Sequence, residues 1–262
     1  MSQPVVLITG ASSGIGAATA RLFAARGFTT LATMRSPHDD ALHLDVTDPA
    51  SITACVATVM QRHGRIDVLV NNAGYGLIGP LEGLTAHQIR RQFDTNVLGL
   101  IAVTQAVIPH MRAVHRGSII NVASIGGRMA FPFSSAYHAT KFAVEGLSES
   151  LRFELAPFGI HVRVVEPGGI RTDFGSRSME LAVAAPYDHI SRRMLALYRD
   201  RQDALPGPER VAETILRAAK STSRRLRWPV HHQPYAALHS LLPDALWQRI
   251  VATMVGKREP TP

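Results

Sequence analysis

Two kinds of apolar pattern alternate along this chain. Val5-Val6-Leu7-Ile8, Ile119-Ile120-Asn121-Val122 and Val162-Arg163-Val164-Val165 are short and rich in β-branched residues. Such runs suit strands of a parallel sheet buried on both faces. Ile66 to Val70, Thr29 to Thr33, Leu42 to Leu44 and Leu226 to Val230 predict four more. Between them the period lengthens to that of helices. One is predicted from about Ala17 to Arg26, one after Asp48, and a long one from Ala86 to Met111. Another follows Ser135, where Phe142, Val144, Leu147, Leu151 and Leu155 recur until Pro157 and Gly159. Asp48 is placed to cap the second helix. Strand and helix in alternation predict an α/β architecture, and 262 residues suffice for one such domain with a large core, or at most two small ones.

Three stretches break the rhythm. Only Ser36 to Ala41 join the second and third strands, whereas a parallel crossover normally needs a dozen residues and a helix. Six extended residues reach about 20 Å, one strand length, so a helix-free return is expected. Residues 173–208 are read as an insertion over the site: Ile190, Met194, Leu195, Leu197 and Tyr198 have helical spacing and suit a substrate lid or a surface helix. Pro208 opens the next helix, with Val211, Ile215 and Leu216 inward, and 234–262 is read as a helical apolar tail.

The first strand runs into Thr9-Gly10-Ala11-Ser12-Ser13-Gly14-Ile15-Gly16 and then a helix. A glycine turn there lets backbone N–H groups approach a pyrophosphate at the positive helix end. Gly10 is expected to make the tight turn, Gly14 to permit close approach and Gly16 to let helix and strand pack. The second strand ends at Met34-Arg35. A carboxylate there would suit the 2′-hydroxyl of NAD, but an arginine suits the 2′-phosphate of NADP. NADP is therefore expected over NAD. Asp45 is placed to accept from an adenine amino group. Asn71-Asn72-Ala73-Gly74 ends the fourth strand with the small and amide residues a dinucleotide needs. Pro167-Gly168 ends the sixth, where backbone amides would reach a nicotinamide carboxamide.

Tyr137 and Lys141 fall four apart on the helix after Ser135, on one face. A phenol titrates near pH 10 in water, and a nearby ammonium favours its ionised form. Chance alone also places Tyr and Lys at this spacing. Ser124, just after a strand, is placed to hold a substrate oxygen beside the phenol. Asn96 lies inside the long helix between apolar neighbours, where a buried amide requires partners.

Composition narrows the picture. The chain is 46% hydrophobic and 6% aromatic, as globular proteins are. The single cysteine, Cys55, excludes an internal disulfide and is expected in the core, and no secretory segment is expected ahead of the first strand. A cytoplasmic setting is expected, with no membrane span. The net charge of +8 resides mostly in the last 82 residues, scattered and without a nucleic-acid motif, so a solvated basic face is expected. Twelve histidines form no ligand-like cluster beyond His231-His232, and no metal site is expected.

Together these residues resemble the short-chain dehydrogenase/reductase family. The matching elements are Thr9-Gly-x-x-x-Gly-Ile-Gly16, Asp45, Asn71-Asn72-Ala73-Gly74, Asn96, Ser124, Tyr137-x-x-x-Lys141 and Pro167-Gly168, in order and over roughly residues 3 to 230. The shortened connection at Ser36 to Ala41 is the one departure. The resemblance implies a single Rossmann-type, doubly wound domain with a seven-stranded parallel sheet and helices on both faces. It implies an alcohol dehydrogenase or carbonyl reductase, usually a homodimer or homotetramer. Tyr137 would be the acid or base, Lys141 would bind the nicotinamide ribose, and Ser124 would hold the substrate oxygen. Asn96 would anchor a water linking Lys141 to solvent. Gly10, Ser12, Ser13, Gly14, Ile15, Gly16, Arg35, Asp45, Val46, Asn72, Ala73, Gly74, Tyr137, Lys141, Pro167, Gly168, Ile170 and Thr172 would form the dinucleotide site. Phe28 to Arg35, Leu44 to Pro49 and the basic tail look like the 17β-hydroxysteroid and retinol dehydrogenase branch, which suggests a lipophilic alcohol or ketone. A non-catalytic dinucleotide sensor and a sugar-nucleotide epimerase are the alternatives. The epimerase would need a larger substrate domain than the tract after Thr172 supplies.

Overall fold

A computed structural model describes residues 3–38, 40–171, 179–182, 184–192, 204–231, 239 and 241–255. Seven parallel strands form the central sheet in the order β3-β2-β1-β4-β6-β7-β9. They are β1 (Val5–Ile8), β2 (Thr29–Met34), β3 (Leu42–His43), β4 (Val68–Asn71), β6 (Gly117–Val122), β7 (Ile160–Pro167) and β9 (Arg227–Val230). Register runs from Val5 beside Thr29, through Val6 beside Val68 and Leu69 beside Ile119, to Val164 beside Arg227. The order reverses between β1 and β4, so a crevice opens at their carboxyl ends, where doubly wound sheets bind ligands.

The two-residue period of the strands sorts their side chains into two cores. Val5, Leu7, Leu69, Ile119 and Val162 pack against α2 (Pro49–His63), α4 (Gly99–Ala113) and the end of α5 (Ser135–Leu155). Val6, Ile8, Val68, Val70, Ile120 and Val165 pack against α1 (Gly14–Ala25) and α6 (Glu209–Lys220). Each wholly apolar run is thus buried on both faces, as its composition requires. Asp48 caps α2 by accepting from the Ala50 N–H at 2.9 Å, and Gly64 ends that helix with φ +69°. Cys55 is buried there, and its burial pushes the thiol up to about 11.

The helix-free return is present. Met34 pairs directly with His43 across 36–41, which contain no helix among their described residues. The long helix predicted from Ala86 to Met111 is not uniform. It runs as α3 (Ala86–Phe93), a π turn (Asp94–Leu98) and α4, without leaving helical backbone. A π turn accommodates one extra residue and is common where a side chain must be re-aimed; here that residue set includes Asn96. A second sheet was not foreseen. β5 (Gly76–Ile78) and β8 (Met179–Leu181) pair in parallel, Leu77 beside Glu180. Both are three residues long, too short to show a period. The predicted insertion helix is seen only at 188–192; Met194, Leu195, Leu197 and Tyr198 lie outside the described residues, as do most of 232–240 and all of 256–262. Within the tail, α7 (Asp244–Val255) is helical. No described helix is long and apolar enough to cross a membrane.

Candidate active site

The glycine turn is shaped by backbone conformation and close packing. Gly10 and Gly14 have φ of +66° and +52°, which favours glycine. A Cβ on Gly10 would come 2.7 Å from the Cα of Ala73, and one on Gly16 would come 2.3 Å from the Gly10 carbonyl. The first and fourth strand ends are stitched together around it. The Thr9 hydroxyl accepts from the Asn72 and Ala73 N–H groups, both at 3.0 Å. Asn72 Nδ2 donates to the Thr9 and Gly10 carbonyls at 3.0 and 2.9 Å. Ser13 makes no side-chain capping bond, so the opening N–H groups of α1 keep their polarity for a ligand.

Above these strand ends lies a cavity of about 1050 Å³. Gly10, Ser12, Ser13, Gly14, Ile15, Arg35, Asp45, Val46, Asn72, Ala73, Gly74, Ser124, Tyr137, Lys141, Pro167, Gly168 and Ile170 all line it. Gly16 stands behind the wall, packed on Gly10, Ala11 and Asn72. Thr172 lies outside the described residues. The volume of the cavity, its glycine cradle and its uncapped helix end fit a dinucleotide.

At one end, Met34 is buried and Arg35 is exposed on the rim. Burial opposes charge on Asp45, but the Thr47 N–H and hydroxyl, with Arg35 and His43 nearby, hold its carboxyl below the usual range. Its Oδ1 accepts both Thr47 bonds, at 2.9 and 2.7 Å.

At the other end, α5 presents Tyr137 and, one turn on, the buried Lys141, whose Nζ lies 5.7 Å from the Tyr137 ring centroid. Nζ donates to the Val122 carbonyl at 3.0 Å. Burial brings this ammonium down to about 8, and attraction to Glu145 works against that fall. The Ser124 hydroxyl accepts from the Gly126 N–H at 3.0 Å, closing a tight turn after β6. Asn96 does not reach the cavity wall. Its Nδ2 donates to the Tyr75 carbonyl at 2.9 Å and to the Thr140 hydroxyl at 3.2 Å, and its Oδ1 accepts from the Tyr75 N–H at 3.0 Å.

Sequence reasoning passed over His138. Its ring is buried, with Nδ1 2.9 Å from the Gly126 carbonyl and Nε2 accepting from the Phe131 N–H at 3.0 Å. These partners fix the neutral tautomer with the proton on Nδ1. Burial lowers its basicity, while the Gly126 bond opposes that. His138 thereby fastens the Ser124 turn to the Tyr137 helix. Gln92 was also missed: fully buried, it donates to the Tyr75 carbonyl at 2.7 Å and accepts from the Leu77 N–H at 2.6 Å. For Gln92 the available signal was an amide inside the predicted helix four residues before Asn96; for His138, at the start of its helix, there was none. Beyond Tyr137 the cavity continues between Ile78, Phe131, Pro132, Phe133, Met179 and Leu181.

The family model for short chain dehydrogenases matches residues 4–181. Human 17-beta-hydroxysteroid dehydrogenase type 1 is 34% identical over 286 residues, covering 97% of this chain and 85% of that protein. A 3-ketodihydrosphingosine reductase from Bacteroides thetaiotaomicron is 43% identical over 179 residues, 66% of each chain. Among solved structures, a short-chain dehydrogenase from Streptomyces avermitilis superposes with a TM-score of 0.83 at 36% identity over 95% of both chains. ElxO with NADP bound gives 0.72 at 27% identity, covering 87% of this chain and 98% of that one. This chain belongs to the short-chain dehydrogenase family. It is an NAD(P)-dependent oxidoreductase acting on small molecules.

Proposed function

We propose that this protein is an NADP(H)-dependent oxidoreductase that interconverts a lipophilic secondary alcohol and its ketone, or the corresponding primary alcohol and aldehyde. Tyr137 is the acid or base. The observation that carries the reading is one cavity with three successive environments: Arg35 at its rim, Tyr137 beside a buried Lys141, and an apolar wall beyond them. The steroid dehydrogenase and ketosphingoid reductase among the relatives, and the bound NADP of ElxO, support the same assignment.

A nicotinamide held in this cavity would supply or accept the hydride at the carbon. Tyr137 gives its hydroxyl proton to the carbonyl oxygen in reduction and takes it back from the alcohol in oxidation. Lys141, held by Val122, stabilises the phenolate left behind and has donors for ribose hydroxyls. Ser124 hydrogen-bonds the substrate oxygen and keeps it in line with the phenol. Asn96, fixed by Tyr75 and Thr140, backs this helix and orders the solvent path to Lys141. The glycine turn, Ser12, Ser13 and Ile15 hold the pyrophosphate. Asp45, Val46, Asn72, Ala73 and Gly74 would line the adenosine side, and Pro167, Gly168 and Ile170 would hold the carboxamide side.

We read the chain as one domain, with 173–208 covering the substrate end. The β5–β8 pairing supports this, because Glu180 is anchored to the body by Gln88 at 2.8 Å and Arg91 at 3.2 Å. A homodimer or homotetramer belongs to the same reading; exposed Leu98, Phe142 and Phe153 on neighbouring helices offer apolar surface to bury. A cytoplasmic setting fits the buried, unpaired Cys55.

Fluorescence titration with NADPH and NADH tests the cofactor. NADPH should bind more tightly, and Arg35→Ala should weaken NADPH alone by roughly ten- to a hundredfold, the worth of a charge-assisted bond. Equal loss for both cofactors, or a preference for NADH, would overturn the phosphate assignment.

A further inference from the structure

Tyr137, Lys141, Glu145 and Glu149 follow one another at four-residue steps along one face of α5. The first two belong to the site already described. The third is buried, with 4% of its surface exposed, and nothing in the reaction accounts for a carboxylate there. Three elements converge on it. Arg227 of β9 donates through Nε to Glu145 Oε2 at 2.9 Å, and through its other arm to Glu149 at 2.7 Å. Glu166 of β7, 2% exposed, lies 3.7 Å from the same Arg227 Nε and 3.4 Å from Arg128, four residues past Ser124. Glycine at 127 lets the Ser124 turn lie flush on this face: a Cβ there would meet the Lys141 carbonyl at 2.8 Å and Glu145 Cγ at 3.0 Å.

Glu145 is not fully committed to its arginine. Its Oε1 is buried with no hydrogen-bond donor among the described residues. A carboxylate oxygen left so is costly unless a positive charge nearby compensates. Lys141, buried one helical turn away on the same face, is a positive charge within reach, and attraction to Glu145 opposes the fall that burial imposes on its ammonium. Lys141 sits otherwise among the Val122 carbonyl and the Tyr137 ring. The groups facing Glu145 are therefore Lys141 and Glu149 of its own helix, Arg128, Glu166 and Arg227.

Resting on the dehydrogenase reading, we propose that Glu145 is a positioning residue: clamped by Arg227 behind the catalytic pair, its charge keeps Lys141 an ammonium at working pH. The sign follows from burial. Desolvation lowers Lys141 to about 8 and pushes Glu145 up to about 7, where repulsion from Glu166 adds to burial. Above pH 7 the carboxylate is ionised, so it acts over the range in which the lysine would lose its proton.

The chain contains three lysines, Lys141, Lys220 and Lys257. ¹³C-lysine labelling therefore gives three Cε signals to follow against pH, with no turnover required. Glu145→Gln should move the Lys141 midpoint down by about one unit and leave the other two in place. The alkaline limb of ketone reduction should move down with it, and Glu145→Asp should restore part of the shift. A purely structural role would lower melting temperature and turnover at every pH without moving the midpoint, and that result would overturn the proposal. If Glu145→Gln does not fold, Lys141→Met gives the reciprocal measurement: the Glu145 carboxyl signal should then titrate higher by the same amount, and an unmoved signal overturns the proposal equally. A lysine that shifts in a protein with no carbonyl-reducing activity would instead sink the assignment of function and leave the coupling standing.

Discussion

The two ends of the cavity are built from different materials. Around the glycine turn, shape comes from backbone: left-handed residues at Gly10 and Gly14, strand ends stitched by Thr9 and Asn72, and a helix start without a side-chain cap. Around α5, shape comes from buried side chains that reach across elements, His138 and Lys141 to backbone groups, Asn96 to Tyr75 and Thr140, and Glu145 to Arg227. The backbone end binds a constant ligand and tolerates almost no added atom. The side-chain end must hold protons at chosen atoms, which backbone groups cannot do. The difference predicts that changes at the first end cost fold and binding together, whereas changes at the second separate binding from turnover.

Tyr137→Phe is the sharpest test of that separation. Turnover should fall by roughly 10²–10⁴, the usual share of acid–base catalysis, while NADPH affinity by fluorescence stays as it was; retained turnover would end the mechanism. Gly10→Ala tests the other end. A side chain in left-handed backbone, pressed on Ala73, should cost about 2–5 kcal/mol, and melting temperature and NADPH affinity should fall together. Affinity unchanged at wild-type stability would show the cradle to be looser than its contacts imply. His138→Leu should lie between. The unpaired Gly126 carbonyl and Phe131 N–H cost about 1–3 kcal/mol. A displaced Ser124 should slow turnover by roughly ten- to a hundredfold with cofactor affinity kept.

Smaller in effect is the pH response. Lys141 titrates below an ordinary lysine, so its charge is present below about 8 and lost above. The reduction rate should hold towards that pH and decline beyond it; a decline beginning only near pH 10 would mean that the lysine is better solvated than its burial suggests. Smallest of all, Asp45→Asn should cost about 0.5–1.5 kcal/mol in stability through the Thr47 bonds, with modest loss of cofactor affinity.

Most of the frame was legible in the sequence because parallel strands buried on both faces leave unbroken apolar runs such as Val5 to Ile8. The site motifs were legible for a related reason: each lies within a few residues of a strand end or on one helix face. What could not be read is what depends on distance. Arg128, Glu145, Glu166 and Arg227 are each ordinary in their own neighbourhoods and meet only because the sheet order brings β7, β9 and α5 together. The four-residue stripe below Tyr137 was visible, but an acidic residue on a helix is usually solvated. β5 and β8 escaped because three residues, one of them Gly76, carry no period. The π turn escaped because its five residues fit a regular helix equally well on paper; Asn96, awkward inside a helix, was the only hint.

That widened turn makes the number of residues in this helix an inherited quantity in its own right. Gln92 before it and Asn96 within it both grip the backbone of Tyr75. Deleting Thr95 or Val97 would restore an ordinary helix, leaving the turns beyond nearly in phase but drawing Asn96 off Thr140 without altering a single functional side chain. Lineages of this chain should thus accept substitutions at the exposed Asp94 and Leu98 and hardly any change in length across 94–98. A deletion scan with NADPH-dependent turnover as readout should find a loss at 94 and 98 that a substitution scan does not.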